Sequence, residues 1–156
     1  MLHSRFVDVA VATRAVDLAL PAIERALQDP SISGMGVLHL VVLDPAVRPA
    51  PERDVRMPVI YERSIGDRER WDVDYAAFAR DKAALSWRHG MDSRRLQMLE
   101  PHRLAQGESR LWGGVCLDGI VVAASGALPI WDEAFALQVA GYVRSLAYIR
   151  AQPPAG

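Results

Sequence analysis

Tyr75, Lys82 and His89 recur at two-turn spacing, so on a helix they share one face. A lysine held over an apolar floor loses hydration, which lowers its pKa and fits it to bind an anionic group or to act as a base. Tyr75 or His89 would then donate a proton to the same substrate. The competing reading of this face is a snorkelling lysine that lays its methylenes on the protein and keeps its charge in water. Gly113-Gly114 and Ser125-Gly126-Ala127 form a second small-residue constellation, where backbone can approach a flat ligand or another subunit. A tight hairpin explains the same glycines without a ligand.

Other chemistries have no signal. Neither a phosphate loop nor a dinucleotide fingerprint occurs. No histidine pair has the close spacing of a zinc or non-haem iron site. The single cysteine, Cys116, lies in a β-prone run with no activating base nearby and reads as an inert core residue. Trp71, Trp87, Trp112 and Trp131 flank the predicted elements, where they would wall a pocket or pack an interface. They do not interleave with a basic stripe, and Lys+Arg 18 against Asp+Glu 19 leaves a net charge of −1, so nucleic acid and anionic membranes are not expected partners. With 51% hydrophobic and 24% charged residues, the 156-residue chain reads as one folded domain, 1–156. No leader-like or spanning run stands out, and the lone cysteine suits a reducing compartment, so a cytoplasmic location is expected.

The elements that must position these residues follow from periodicity. A first helix is expected over 13–28, capped by Thr13, with Val16, Leu20, Ile23 and Leu27 inward and a kink or a later start imposed by Pro21. Val37 to Leu43 is apolar on both faces and reads as a central strand. Val55 to Tyr61 would supply an edge strand limited by Pro58, and Glu62 to Trp71 an exposed connection. A helix over 72–89 carries Ala76, Ala79 and Ala83 on one stripe and ends at Gly90. A short helix over 93–99 stops before Pro101. Leu111 to Leu117, Asp118-Gly119 and Ile120 to Ala124 predict a type I′ hairpin. A last helix follows Asp132 as its cap and buries Phe135, Val139, Tyr142, Leu146 and Ile149. The order α, β, β, α, β, β, α gives an α+β fold with an antiparallel-rich sheet flanked by helices.

Three stretches resemble the GlcG/HbpS-like family, often labelled a haem-binding or haem-degrading domain and akin to the C-terminal domain of PduO. They are Gly36 to Asp44; Ala79-Arg80-Asp81-Lys82-Ala83-Ala84 with Gly90 and Ser93; and Gly113-Gly114, Asp118-Gly119, Ile120 to Ala127 and Asp132-Glu133. The chain departs from the family at Asp44-Pro45-Ala46-Val47, at Val115-Cys116 after the glycine pair, and in the charged segment 62–71. The resemblance implies a profilin-like α/β sandwich, a cytoplasmic homo-oligomer, and haem or a small anionic metabolite as ligand. Lys82, Ser93, Gly113, Gly114 and Ser125 are the expected lining. His39, in the central strand, is the iron-ligand candidate if haem binds, against the alternative of a hydrogen-bonded core histidine.

Three functions are therefore expected to compete. The first is an oligomeric ligand-binding protein. The second is a cofactor-independent catabolic enzyme acting on a carbonyl or carboxylate compound through Lys82, with Tyr75 or His89 as proton donor. The third is an assembly subunit in which the glycines and tryptophans serve packing alone.

Overall fold

The computed structural model describes residues 2–156. Four strands, β1 (Leu38–Leu43), β2 (Val59–Ile65), β3 (Gly114–Leu117) and β4 (Ile120–Ser125), form one sheet in the order β2-β1-β4-β3. All neighbours are antiparallel. Four α-helices flank it: α1 (Val9–Leu27), α2 (Tyr75–His89), α3 (Ser93–Leu99) and α4 (Pro129–Ala151). The fold is α+β with an open antiparallel sheet.

The all-apolar run of β1 is buried at every position, as a central strand requires. Its alternate side chains serve two cores. Leu38, Leu40 and Val42 pack with Val122 and Ala124 against α1 and α4, while Val41 and Leu43 pack with Ala123 against Ala79 and Ala83 of α2. The alanine stripe lets α2 lie close to the sheet, and this places Lys82, which stands between Ala79 and Ala83 on the helix, at the sheet surface. Asp118 (φ 51°) and Gly119 (φ 85°) both take the left-handed conformation of the I′ turn joining β3 to β4.

Several boundaries differ from expectation. The first helix begins at Val9 rather than later, because Asp8 Oδ1 accepts the Val11 N–H at 3.0 Å and caps it. Thr13 lies inside the helix, its hydroxyl donating to the Val9 carbonyl at 2.7 Å, and Pro21 is accommodated within it. The edge strand lies at 59–65 instead of 55–61. Pro58 precedes it, its carbonyl accepting the Asp44 N–H, and the register slips between Val42 and Leu43. Charged residues in β2 are compatible with a sheet edge: Glu62 reaches Arg80 on α2, and Arg63 approaches Asp17 on α1. Helix α4 starts at Pro129, a residue suited to a first helical position, so Asp132 sits within the first turn and is not its cap. Its buried stripe is Phe135, Ala136, Val139, Ala140 and Val143, whereas Tyr142 and Ile149 are exposed. Among the described residues no helix is long and apolar enough to cross a membrane.

Candidate functional site

Lys82 and Asp132 meet under the rim where β4 runs into α4. Lys82 Nζ donates to Asp132 Oδ2 at 2.9 Å and to the Ala124 carbonyl at 3.0 Å, and both side chains are only 3% exposed. Asp132 Oδ1 accepts the Ala127 N–H at 2.8 Å, which ties the loop before α4 back onto the helix. The positive end of the α4 dipole favours a carboxylate there. Gly113 makes room for the pair: its φ is +130°, and a Cβ would lie 3.0 Å from both Lys82 Cδ and Asp132 Cβ and 2.5 Å from the Ala124 oxygen.

Burial dominates the titration of both groups. Loss of hydration pushes the Asp132 carboxyl up to about 6, against the pull of Lys82 and the Ala127 N–H. The same loss lowers Lys82 from its ordinary value, against the attraction of Asp132. The two pKa values are thus drawn toward each other. Above the pair lies a cavity of about 360 Å³, walled by Tyr75, Phe78, Ser125, Gly126 and Leu128, with Lys82 and Asp132 also lining it. An ammonium carries three donors, and two of those on Nζ are engaged within the protein. The third is left for an acceptor placed in the cavity.

The expected residues divide between lining and support. Tyr75, Lys82 and Ser125 line this cavity. The Tyr75 hydroxyl donates to Asp72, and burial together with that carboxylate pushes its pKa up to about 12, so it is a poor acid. His89 lies at the far end of α2, where Nε2 bonds Glu108 at 3.0 Å and the ring lines a different cavity with Trp87 and Cys116. It is not part of the Lys82 site, because two turns along the helix carry it to the end of the sheet where β3 turns into β4. Ser93 is buried and supports β3: its hydroxyl donates to the Gly114 carbonyl at 3.1 Å and accepts the Gly114 N–H at 2.9 Å. Gly113 and Gly114 stand behind the ion pair, where Gly114 approaches the Lys82 carbonyl. They shape the site from below and do not line the cavity. Burial pushes the Cys116 thiol up, consistent with an inert residue.

His39 is a hydrogen-bonded core residue, 5% exposed, with Nδ1 2.8 Å from Ser64 Oγ and Nε2 3.2 Å from Glu62 Oε1. Both ring nitrogens are engaged, so neither is free to ligate iron in this arrangement. Three partners escaped the sequence reading. Asp132 carried only a capping signal, and with Arg80-Asp81 beside Lys82 and Glu133 beside Asp132 nothing in the sequence singles the two out as a pair. Glu62 and Ser64 were read as part of a loop.

A larger cleft of about 1070 Å³ opens between the 44–58 segment and β2. Its Glu62 and Arg80 are joined by two hydrogen bonds, 2.7 and 3.0 Å, and Asp44 is held by the Ser4 and Ala46 N–H groups, while the exposed Asp54 and Arg56 also line it. Among the described residues no group of three or more His, Cys, Asp or Glu side chains is placed to hold a metal ion. The chain matches no family model, no curated protein and no solved structure, so the description of it as GlcG-like, HbpS-like and haem-binding is corrected: nothing in these comparisons supports those terms.

Proposed function

We propose that this chain is a binding protein for a small organic acid or carbonyl compound, held in the cavity above Lys82 and Asp132. The observation that carries this reading is a buried ammonium on the cavity floor with one donor unspent, beside a carboxyl pushed up to about 6. An anionic ligand brought to Nζ raises the Asp132 pKa further, so the carboxyl takes up a proton and the site becomes net positive. Binding of a carboxylate is then coupled to proton uptake and tightens as pH falls from 8 toward about 6. The finer fold description, a profilin-like α/β sandwich of one domain, belongs to the same proposal and is supported by the antiparallel order β2-β1-β4-β3 with helices on both faces. So does homo-oligomerisation, supported by the exposed Ile130, Trp131 and Leu137 on α4.

The test is a thermal-shift and calorimetric screen of small carboxylates and ketones at pH 6 and pH 8, on the wild type and on Lys82→Met/Asp132→Asn. A ligand that stabilises the wild type alone, with proton uptake in buffers of different ionisation enthalpy, supports the reading. Equal response of both proteins, or none in either, overturns it.

The convergence of the two pKa values also supports a second reading, proton transfer on an enolisable carbonyl compound by the Lys82–Asp132 pair. It requires turnover of the bound ligand, lost in the double variant.

A further inference from the structure

His39 links two side chains that sequence places in neither site. In the β1–β2 ladder His39 lies directly opposite Ser64, and Glu62 sits opposite Val41, so all three side chains project from the same face of the sheet. This register lets one imidazole span both partners, with Nδ1 2.8 Å from Ser64 Oγ and Nε2 3.2 Å from Glu62 Oε1. Arg80 fixes the proton positions. Its guanidinium grips both Glu62 oxygens and holds the carboxyl below its usual range, so Glu62 is ionised and accepts only. Nε2 must therefore carry the proton. Burial also keeps the ring neutral, which leaves Nδ1 as an acceptor, and the Ser64 hydroxyl must donate to it.

We propose that Ser64 is a nucleophile for acyl or phosphonyl transfer, with His39 as its general base and Glu62 as the positioning residue. The roles of a Ser-His-acid constellation are set by geometry and not by order in the chain, and either ring nitrogen can serve as the base when the other is anchored. With an ester substrate, Ser64 Oγ bonds to the acyl carbon as its proton passes to His39 Nδ1. The alkoxide leaves with that proton as the ester C–O bond breaks, and water then hydrolyses the acyl-serine to release the acid and restore the hydroxyl. Ser64 is half-buried on an edge strand, whose outer side is not covered by another strand. Trp71 packs edge-on against the His39 ring at 5.9 Å between centroids and shields the base from water. Ser64, His39 and Glu62 do not line the Lys82 cavity, although His39 neighbours Ser125 across the sheet, and the covalent adduct tested below is distinct from the reversible binding proposed there.

The full chain is incubated with an alkyl fluorophosphonate, whose P–F bond breaks as Ser64 Oγ bonds to phosphorus, and the adduct is followed by intact mass and peptide mapping. The expected result is one adduct, on Ser64, absent in Ser64→Ala and forming about 100-fold or more slowly in His39→Gln. The wild-type rate should rise with pH through a midpoint below 6.5, since burial lowers the His39 pKa and Arg80 from α2 and Arg68 from the turn after β2 add to that, against the pull of Glu62 from β2. Glu62→Gln should lower that midpoint. Absence of a Ser64 adduct, equal labelling of His39→Gln and wild type, or a rate that rises only with hydroxide above pH 8 would each overturn the proposal. The wild-type pH profile decides the matter even where His39→Gln does not fold.

Discussion

Lys82 and Asp132 lie fifty positions apart in sequence, yet Nζ and Oδ2 are 2.9 Å apart with both side chains 3% exposed. Helix α2 brings one partner to the sheet and the first turn of α4 brings the other. The pair therefore locks together the two elements that cover opposite faces of the sheet. Two buried charges cost several kcal/mol of lost hydration each, and their attraction offsets this only where the hydrogen bonds are complete. Here Ala124 and Ala127 each add one hydrogen bond to the pair, which leaves a single Nζ donor without a protein partner.

Removing one partner should accordingly cost more than removing both. Lys82→Met leaves a buried carboxylate and is expected to destabilise the fold by about 3–5 kcal/mol. Lys82→Met/Asp132→Asn removes both charges and keeps an amide oxygen for the Ala127 N–H, so most of that loss should be recovered. Urea unfolding of the two variants at neutral pH checks the difference. A double variant no more stable than the single one would mean that the pair is more than a compensated burial.

Gly113 permits the pair's geometry. At φ +130° an L side chain is strained, and its Cβ would press on the Ala124 carbonyl as well as on both members of the pair. Gly113→Ala is expected to cost at least about 2 kcal/mol, combining backbone strain with displacement of the neighbours. Gly141 is the control: it lies in α4 with nothing within 4 Å of an added Cβ, so Gly141→Ala should stabilise by about 0.5–1 kcal/mol. Melting temperatures measured side by side should move in opposite directions.

His39 sets an acid-sensitive term. Desolvation lowers its folded-state pKa below the ordinary 6.5, although Glu62 pulls the other way. The stability it contributes is complete above 6.5 and is lost as pH falls from there through the folded value, because the unfolded chain gains its proton first. Asp132 acts oppositely over the same range: with a folded value of about 6 against 3.8, it binds its proton first in the folded state and favours folding as pH falls. The net slope of the wild type therefore mixes the two. Comparing wild type with His39→Gln isolates the histidine: between pH 7 and pH 5 the wild type should lose more stability than the variant, as measured by urea unfolding at each pH.

Much of the architecture was legible because it rests on local chemistry. The apolar run of β1, the Asp118-Gly119 turn and the short helix before Pro101 each carry their signal within a few residues. Edge strand β2 was misplaced because Glu62 and Arg63 look like loop residues until α2 and α1 supply Arg80 and Asp17, respectively, as partners. The site was half legible for the same reason. The alanine stripe predicts that α2 lies close to the sheet, but by sequence Lys82 reads as readily as a snorkelling side chain, whereas it is buried; its partner is fixed by tertiary docking of α4, and Asp132 alone reads as a helix cap. Ser93 shows the limit from the other side: a small hydroxyl residue near a glycine pair fits a ligand contact and a structural clamp equally well by sequence.

The clamp reading gives Ser93 a distinct signature. Its hydroxyl both donates to the Gly114 carbonyl and accepts the Gly114 N–H, and all of these groups are buried. Ser93→Ala strands one donor and one acceptor at the start of β3, which should cost about 1–3 kcal/mol. Because Gly114 backs onto the Lys82 carbonyl and does not face the cavity, the loss should appear in stability and in faster amide exchange of β3, with the affinity of any ligand of the Lys82 cavity changing less than about threefold. Hydrogen-exchange mass spectrometry of the variant, run beside a ligand titration, separates the two: loss of affinity with β3 protection intact would return Ser93 to the binding surface.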